Sequence, residues 1–144
     1  MAVSAKAYGS LLGVLFTGAI NYASDTIKVA LCTSAYTPDQ DTHDYFNDIT
    51  NEVTGTGYTA GGATLASKTI TYTAGTNTQS LDAADVTWGS STITARYAVI
   101  YKSTGTASTS PLIGYVDFGQ DVVSSAGNFT ITWDAAGILT LTTA

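Results

Sequence analysis

The amino-acid sequence predicts a mainly β protein, an antiparallel β-sandwich or barrel-like body preceded by a short N-terminal α-helix. Apolar and polar residues alternate with a period of two in several segments, which is the pattern of strands with one buried face. Threonine is the commonest residue and tyrosine occurs nine times, and both side chains pack well on a pleated sheet. Clusters of small and polar residues separate these segments, as turns do in sandwiches and barrels.

A single domain accounts for the sequence, since 144 residues correspond to about one domain and no linker interrupts them. We divide it into an N-terminal helix over residues 1–20 and a β body over residues 25–142. The helix is predicted from apolar residues at helical spacing, with Ser4 as its cap and with Gly18 and Asn21 near its end. The residues at this spacing are Ala5, Tyr8, Leu11, Leu12 and Leu15.

The apolar run over residues 11–20 is too short to span a bilayer, which takes about 20 apolar residues. Only Lys6 supplies a positive charge before this run, and no clean cleavage site with small residues follows it. We therefore expect neither a secretion signal nor a transmembrane segment in this protein.

Short alternating segments form the predicted strands of the β body. The pattern places them at residues 27–32, 69–73, 86–88 and 129–133. In the second of these segments Ile70 and Tyr72 alternate with threonines, so we expect both side chains on the buried face of a strand.

Three longer features complete the β body. Residues 93–101 form the longest and most apolar run and are predicted to be a central strand. Another strand is predicted directly after Pro111. It begins there because proline fits only at the first position of such a strand. The turn at residues 134–137 predicts a hairpin to a last short strand over residues 138–142.

Charge and composition exclude several classes of function. Five basic and eleven acidic residues give a net charge of −6, so we expect no binding to nucleic acid. The single cysteine excludes an internal disulfide framework and a cysteine-based zinc site. Charged residues make up only 11% of the chain, which favours a role in contacts with other proteins, because interfaces disfavour charge at their centres.

The densest polar segment, residues 37–48, contains the only histidine. Asp39 and Asp41 alternate as in a calcium-binding loop, but no glycine turn and no closing glutamate follow them. His43 lies beside Asp41 and Asp44, like half of a general-base pair, but no Gly-x-Ser-x-Gly motif supplies a nucleophile. We predict no catalytic residue, no metal site and no cofactor, and hence a protein that is not an enzyme.

Other residues with possible chemistry receive structural interpretations. Asp82 and Asp85 are close enough in sequence for a glycosidase pair, but their place before a strand is typical of turn-forming side chains. Cys32 lies in strand alternation and is predicted to be a small buried side chain. Trp88 and Trp133 are predicted to anchor the core, with the indole N–H bonded to a backbone carbonyl.

Five residues are candidate contacts at a subunit interface. Tyr8 and Leu12 belong to the N-terminal segment, which can close the end of its own sheet or lie on an adjacent subunit. Tyr45 and Phe46 can insert into the core or into a partner. Arg96 lies in the middle of a strand, where a buried guanidinium requires a carboxylate partner or a subunit contact.

Several segments follow one another in a characteristic order. An early strand at residues 27–31 precedes a loop rich in Thr, Pro and Asp, and a Thr-rich strand pair ends the chain. The segments between them span residues 52–62, 81–88, 93–101 and 111–118. This ordered set, over about residues 2–142, resembles a widespread family of small virion structural proteins of tailed bacteriophages, described as head decoration or minor tail proteins.

The resemblance implies a β-sandwich-like body and a place on the virion, which is assembled in the host cytoplasm, but it assigns no site residues. We expect a non-enzymatic capsid decoration or cement protein that binds the assembled shell. Its partners would be the major capsid protein or other virion proteins and further copies of itself, as a homo-oligomer, with no membrane involved. One alternative is a tail-tube, tail-tip or fibre component. The other is a carbohydrate-binding adhesin domain that stacks exposed Tyr and Trp on sugars.

Overall fold

A computed structural model describes residues 2–143, and within them eight strands, one α-helix and two short 3-10 turns occur. The helix is α1 (Leu11–Phe16), and the 3-10 turns are Phe46–Asp48 and Ala107–Thr109. The strands are β1 (Ser4–Ala7), β2 (Ile27–Cys32), β3 (Ala63–Thr64), β4 (Thr69–Thr73), β5 (Thr78–Asp82), β6 (Val86–Lys102), β7 (Leu112–Ile131) and β8 (Leu139–Thr142). The predicted mainly β fold is confirmed. Within residues 2–143 no helix combines the length and the apolar character needed to cross a membrane.

The larger sheet has the strand order β1-β7-β6-β2-β3, and all of its paired strands are antiparallel. Around β2 both faces of this sheet are covered, which explains why β2 is apolar along almost its whole length. Ile27, Val29 and Leu31 point into a large core cluster that also includes side chains of α1. Ala30 and Cys32 point the other way, into a second cluster that is covered by the loop after β2.

The smaller sheet has the strand order β4-β5-β8 and is also antiparallel. Leu81 of β5 and Leu139 of β8 pack against the large core cluster, so this sheet lies against the larger one in a sandwich-like arrangement. A hydrogen bond of 3.0 Å from the Tyr22 hydroxyl to the carbonyl of Asp82 adds a polar contact at the end of β5. The smaller sheet is therefore attached through a few side chains of its central and C-terminal strands.

β6 and β7 are the two longest strands and pair with each other through several register shifts. Between Trp88 and Ser91, β6 has one residue more than β7, and after Ser91 the extra residue lies in β7, so the two shifts cancel. At this point the buried hydroxyls of Ser91 and Ser124 are 2.7 Å apart and hydrogen-bond to each other. The compensating bulges therefore restore the register, while the buried positions of β6 shift by one residue, from Val86 and Trp88 to Ser91 and Ile93.

The N-terminal helix predicted over residues 1–20 is wrong in its extent. Residues 4–7 form β1, which pairs with β7, and the helix is confined to Leu11–Phe16 with Ser10 at its N-cap position. Ser4 therefore caps no helix and instead pairs with Asp117. Helical spacing is a local signal, whereas the partner of β1 lies more than a hundred residues away in sequence.

The predicted hairpin at residues 134–137 is also wrong. The turn exists, since the Gly137 N–H donates to the Asp134 carbonyl at 2.9 Å. However, β8 pairs with β5 in the smaller sheet and not with β7. The turn therefore carries the chain from the larger sheet to the smaller one, a crossing that turn chemistry alone does not distinguish from a hairpin.

Candidate interaction surface

An open groove of about 650 Å³ lies between α1 and one face of the smaller sheet. We call it the apolar groove. Its walls come from the end of β1, from α1 and the turn after it, and from β4, β5 and β8. Among residues 2–143, none of the side chains that line it carries a charge. The large apolar and aromatic side chains that line it are Tyr8, Leu11, Leu12, Leu15, Ile20, Tyr22, Ile70, Leu81, Leu139 and Leu141.

The helical wall of the groove results from the spacing of apolar residues in α1. Leu11 is buried, and Leu15 packs against the same core cluster, so one side of the helix faces inward. Leu12 and Phe16 lie one turn apart on another side and are 49% and 84% exposed. We call these two exposed side chains the apolar ridge. The helix is therefore apolar both where it meets the core and where it meets solvent.

The sheet wall follows from cross-strand register. Leu81 lies opposite both Ile70 and Leu139, which places these three residues in one row across the sheet. In the next row on the same face are Tyr72 and Leu141, on either side of Gln79. The expectation that Ile70 and Tyr72 are buried is wrong, because they are 49% and 56% exposed. Alternation correctly puts them on one face, but only the inner part of that face is covered.

The opposite face of the smaller sheet carries threonine, serine and one aspartate. We call it the threonine face. Its residues are Thr69, Thr71, Thr73, Thr78, Ser80, Asp82, Thr140 and Thr142. The hydroxyls of Thr78 and Thr142 are 2.9 Å apart and hydrogen-bond across the strands. A shallow depression of about 370 Å³ lies over this face and is completed by Ala135 and Ala136. The smaller sheet thus presents two nearly uncharged faces of different polarity.

The polar loop after β2 is built around a chain of hydrogen bonds. The Asp39 amide donates to Nδ1 of His43 at 3.3 Å, so this nitrogen acts as an acceptor. The Tyr36 hydroxyl, 2.9 Å from the same nitrogen, then donates to it, and the Tyr8 hydroxyl at 2.9 Å donates to Tyr36. Burial raises the pKa of Tyr36 to about 12 and that of Tyr8 still further. His43 therefore serves as the partner of one buried phenol, Tyr36, which in turn accepts from Tyr8.

The carboxylates of the same loop hold its backbone. Oδ1 of Asp39 accepts the amides of Asp41 and Thr42 at 3.0 and 3.1 Å. Hydrogen bonds from Thr42 and from these amides lower the pKa of Asp39. The hydrogen bonds of residues 2–143 include none between His43 and a carboxylate, and no group of three or more His, Cys, Asp or Glu side chains in that range is placed to hold a metal ion. The arrangement therefore supports the structure of the loop.

Arg96 has the carboxylate partner that its position in the strand required. Its Nε lies 2.5 Å and its Nη2 3.2 Å from the two carboxylate oxygens of Asp117 on β7. The guanidinium also lies 5.6 Å from the ring centre of Tyr97. The hydrogen bonds from Arg96 lower the pKa of Asp117. Of the two alternatives for this arginine, the ion pair within the chain is the one that forms.

The five candidate interface residues lie in three separate places. Tyr8 and Leu12 both line the apolar groove, although Tyr8 itself is only 1% exposed. Tyr45 and Phe46 lie at the first 3-10 turn, where Tyr45 is partly exposed and Phe46 stacks on a core tyrosine, Tyr101, with ring centres 4.0 Å apart. Arg96 lies on β6, away from both places. Leu12 is thus the member of this set that is both exposed and part of the groove.

The burial of Cys32 and Trp88 agrees with their interpretations, whereas two other expectations are wrong. The hydrogen bonds of residues 2–143 include none from the indole N–H of Trp88, and Asp85 bonds a distant segment and not its own turn. Cys32 is fully buried, and burial raises the pKa of its thiol to about 12. Trp88 is buried in the large core cluster. Trp133 packs against that cluster and donates its indole N–H to the carbonyl of Ala84 at 3.1 Å. Asp85 accepts the backbone amide of Trp133 at 3.0 Å, and it therefore joins two segments of the backbone.

The sequence reasoning missed the exposure of four apolar side chains, which are Phe16, Ile70, Tyr72 and Leu141. A signal for the last three was present in the alternation of residues 69–73 and 139–142. That alternation shows which residues share a face, but it carries no information on whether another element covers the face. The cover depends on how far the six-residue helix reaches across the smaller sheet, which is set by tertiary packing.

Comparison with known proteins gave no match, either to a family model, to a curated protein or to a solved structure.

Proposed function

We propose that this protein is a non-enzymatic structural protein of a phage virion and that it binds the assembled capsid shell as a decoration or cement protein. The proposal rests on the resemblance described above and on one structural observation, the open smaller sheet. Both faces of this sheet are accessible, one through the apolar groove and the other through the threonine face. Surfaces of this kind desolvate at little cost, since few strongly hydrated charges have to lose water.

The threonine face is the surface we assign to the shell. It offers hydroxyl groups on three adjacent strands, and these can hydrogen-bond to a partner while the methyl groups contact it. A protein that binds only the assembled shell stabilises that shell by mass action. Repeated copies on a symmetric particle would then act as cement between shell subunits.

A co-sedimentation experiment tests this function. The purified chain is mixed with capsids that lack tails and, separately, with purified tails. We expect it to sediment with the capsids. Sedimentation with tails alone would favour a tail-tube, tail-tip or fibre component, and sedimentation with neither would contradict the proposal.

A substitution on the threonine face tests the assigned surface. Thr71→Asp places a charge in the middle of an edge strand of this face, and we expect capsid binding to weaken by about tenfold or more because the charge must be desolvated. Thr94→Asp, the same change at an exposed position of β6, is the matched control and should bind as the wild type does. Equal binding of all three chains would remove the threonine face from the interface.

A sugar-binding function is favoured by one observation, the exposed ring of Tyr72. Its hydroxyl hydrogen-bonds to Oδ1 of Asn77 at 2.9 Å, and a ring held in this way resembles the stacking platforms of carbohydrate-binding proteins. Binding on a glycan array that is lost in Tyr72→Ala and kept in Tyr45→Ala would support an adhesin domain instead.

A further inference from the structure

We propose that the apolar groove and the apolar ridge together bind a second copy of this chain, so that two chains pair about a two-fold axis through this face. The proposal goes beyond the function above, because it needs no other virion protein and leaves the threonine face free. It rests on three observations, which are the size of the exposed apolar surface, its shape and its lack of charge.

The exposed apolar surface supplies most of the area that a stable dimer buries on each partner. Leu12, Phe16, Ile70, Tyr72 and Leu141 are each between 49% and 84% exposed. A fully exposed large side chain presents on the order of 200 Å², so these fractions together correspond to roughly 600 Å². Monomers rarely expose more apolar surface than about 300–600 Å² in one patch. A standard interface buries about 800 Å² on each partner, so this surface would supply most of one, with a polar rim around it.

The shape of the surface fits a second copy of the same chain. Two chains related by a two-fold axis use the same patch, so the patch must be complementary to itself. Here a projection and a concavity lie side by side, because Leu12 of the ridge also lines the groove and Phe16 follows it one helical turn later. Rotation of one chain by half a turn can place each ridge in the groove of the other chain. Phe16, at 84% exposure, is the side chain that would enter furthest.

The absence of charge on this face also favours self-association. The chain has a net charge of −6, so two copies repel each other over most of their surfaces. Among residues 2–143, no side chain that lines the groove is charged. Two copies can therefore meet here without bringing like charges into contact, and the apolar centre excludes water around the ridge.

Sedimentation of the purified full-length chain at micromolar concentrations tests the proposal. We expect twice the mass of one chain for the wild type. In Phe16→Asp the dissociation constant should rise by about tenfold or more, because each copy would bury a carboxylate in an apolar groove. Val123→Asp is the matched control, since Val123 is 66% exposed on β7 and does not line the groove, and it should dimerise as the wild type does.

A mixing experiment tests the two-fold geometry itself. Leu141→Lys places an ammonium in the groove and should also produce monomers. When Phe16→Asp and Leu141→Lys chains are mixed, one contact of the mixed dimer pairs the new charges and the other keeps Phe16 against Leu141. We therefore expect the mixed dimer to form more readily than either homodimer.

Several results would overturn the proposal. A wild-type chain that remains monomeric, or a Phe16→Asp variant that dimerises with wild-type affinity, contradicts it directly. A trimer or larger ring that Phe16→Asp dissociates would assign this face to a different symmetry. A monomer whose binding to capsids is lost in Phe16→Asp would assign the groove to a shell protein. Thermal unfolding of each variant shows that it is folded, and Leu141→Lys provides a second test should Phe16→Asp not fold.

Discussion

At the scale of single residues, one glycine lies so close to β2 that no side chain fits at its position. Gly62 has a φ of +72°, and a Cβ at this position would lie 1.9 Å from the carbonyl oxygen of Val29 on β2. The loop before it is fixed by Tyr58, whose hydroxyl donates to Glu52 at 2.7 Å, and by Tyr101, which donates to the Gly61 carbonyl at 2.7 Å. The backbone here cannot move away from β2 without breaking these bonds.

Gly62→Ala should therefore destabilise the fold by about 3 kcal/mol or more, because it combines a backbone clash with an unfavourable φ. Urea unfolding at neutral pH measures the change. Gly75→Ala is the matched control: no atom lies within 4 Å of the added Cβ, and its φ is not in the left-handed region, so its effect should stay within about 0.5 kcal/mol. Equal stability of the two variants would contradict the tight contact with β2.

At the scale of elements, an irregular segment of β7 depends on the ion pair with β6. Tyr97 pairs with Asp117 and Ala95 with Val122, so four residues of β7 face the single residue Arg96. Asp117 holds this segment from both sides. It accepts two hydrogen bonds from Arg96 and also accepts the amide of Gly119 at 2.8 Å. The segment is thus shaped by one carboxylate.

We expect this carboxylate to make part of the stability of the fold dependent on acid pH. Because its pKa is lowered in the folded state, its contribution is present above the unfolded pKa of about 3.9 and is lost as the pH falls through the folded value. Asp117→Asn should remove that part of the pH dependence, as measured by urea unfolding between neutral and strongly acidic pH. Arg96→Met should reduce it, because only the hydrogen bond from Gly119 then remains to lower the pKa of Asp117, whereas persistence of the full effect in Asp117→Asn would show that other carboxyl groups are responsible.

Much of the fold was predictable from local sequence, and the errors have a common cause. The strand at residues 27–32 and the central strand within β6 were predicted correctly, because burial determines the spacing of apolar residues along a strand. One buried face gives alternation, and two buried faces give a continuous apolar run. The need of Arg96 for a carboxylate followed from the cost of burying a charge. By contrast, β1 and the partner of β8 are determined by contacts distant in sequence, and the openness of the groove depends on packing that leaves no periodic pattern.

At the scale of the whole molecule, the second core cluster holds groups that must stay protonated. Tyr8, Tyr36, Tyr101 and Cys32 lie together in it, beneath the loop after β2. Burial is the main cause that raises the pKa of each one, to about 12 for Tyr36, Tyr101 and Cys32. Each of these groups fits an apolar cluster only in its neutral, protonated form. The packing of one face of the larger sheet therefore depends on their protonation.

The fold should therefore become less stable in alkali, because the pKa values of these groups are higher in the folded chain than in the unfolded chain. An unfolded chain releases the thiol proton near pH 9 and phenolic protons near pH 10, whereas the folded cluster retains them, so this contribution to stability is full below about pH 9 and falls as the pH rises towards about 12. Tyrosinate absorbance and circular dichroism, followed together, should show these phenols ionising as the sheets unfold. Tyr36→Phe removes one of the groups that ionise on unfolding, so the free energy of unfolding should fall less steeply as the pH rises. At neutral pH the variant should be less stable by about 1 kcal/mol, because the hydrogen bonds of this hydroxyl are lost. Complete ionisation of all the tyrosines while the circular dichroism stays native would show that the cluster is open to solvent.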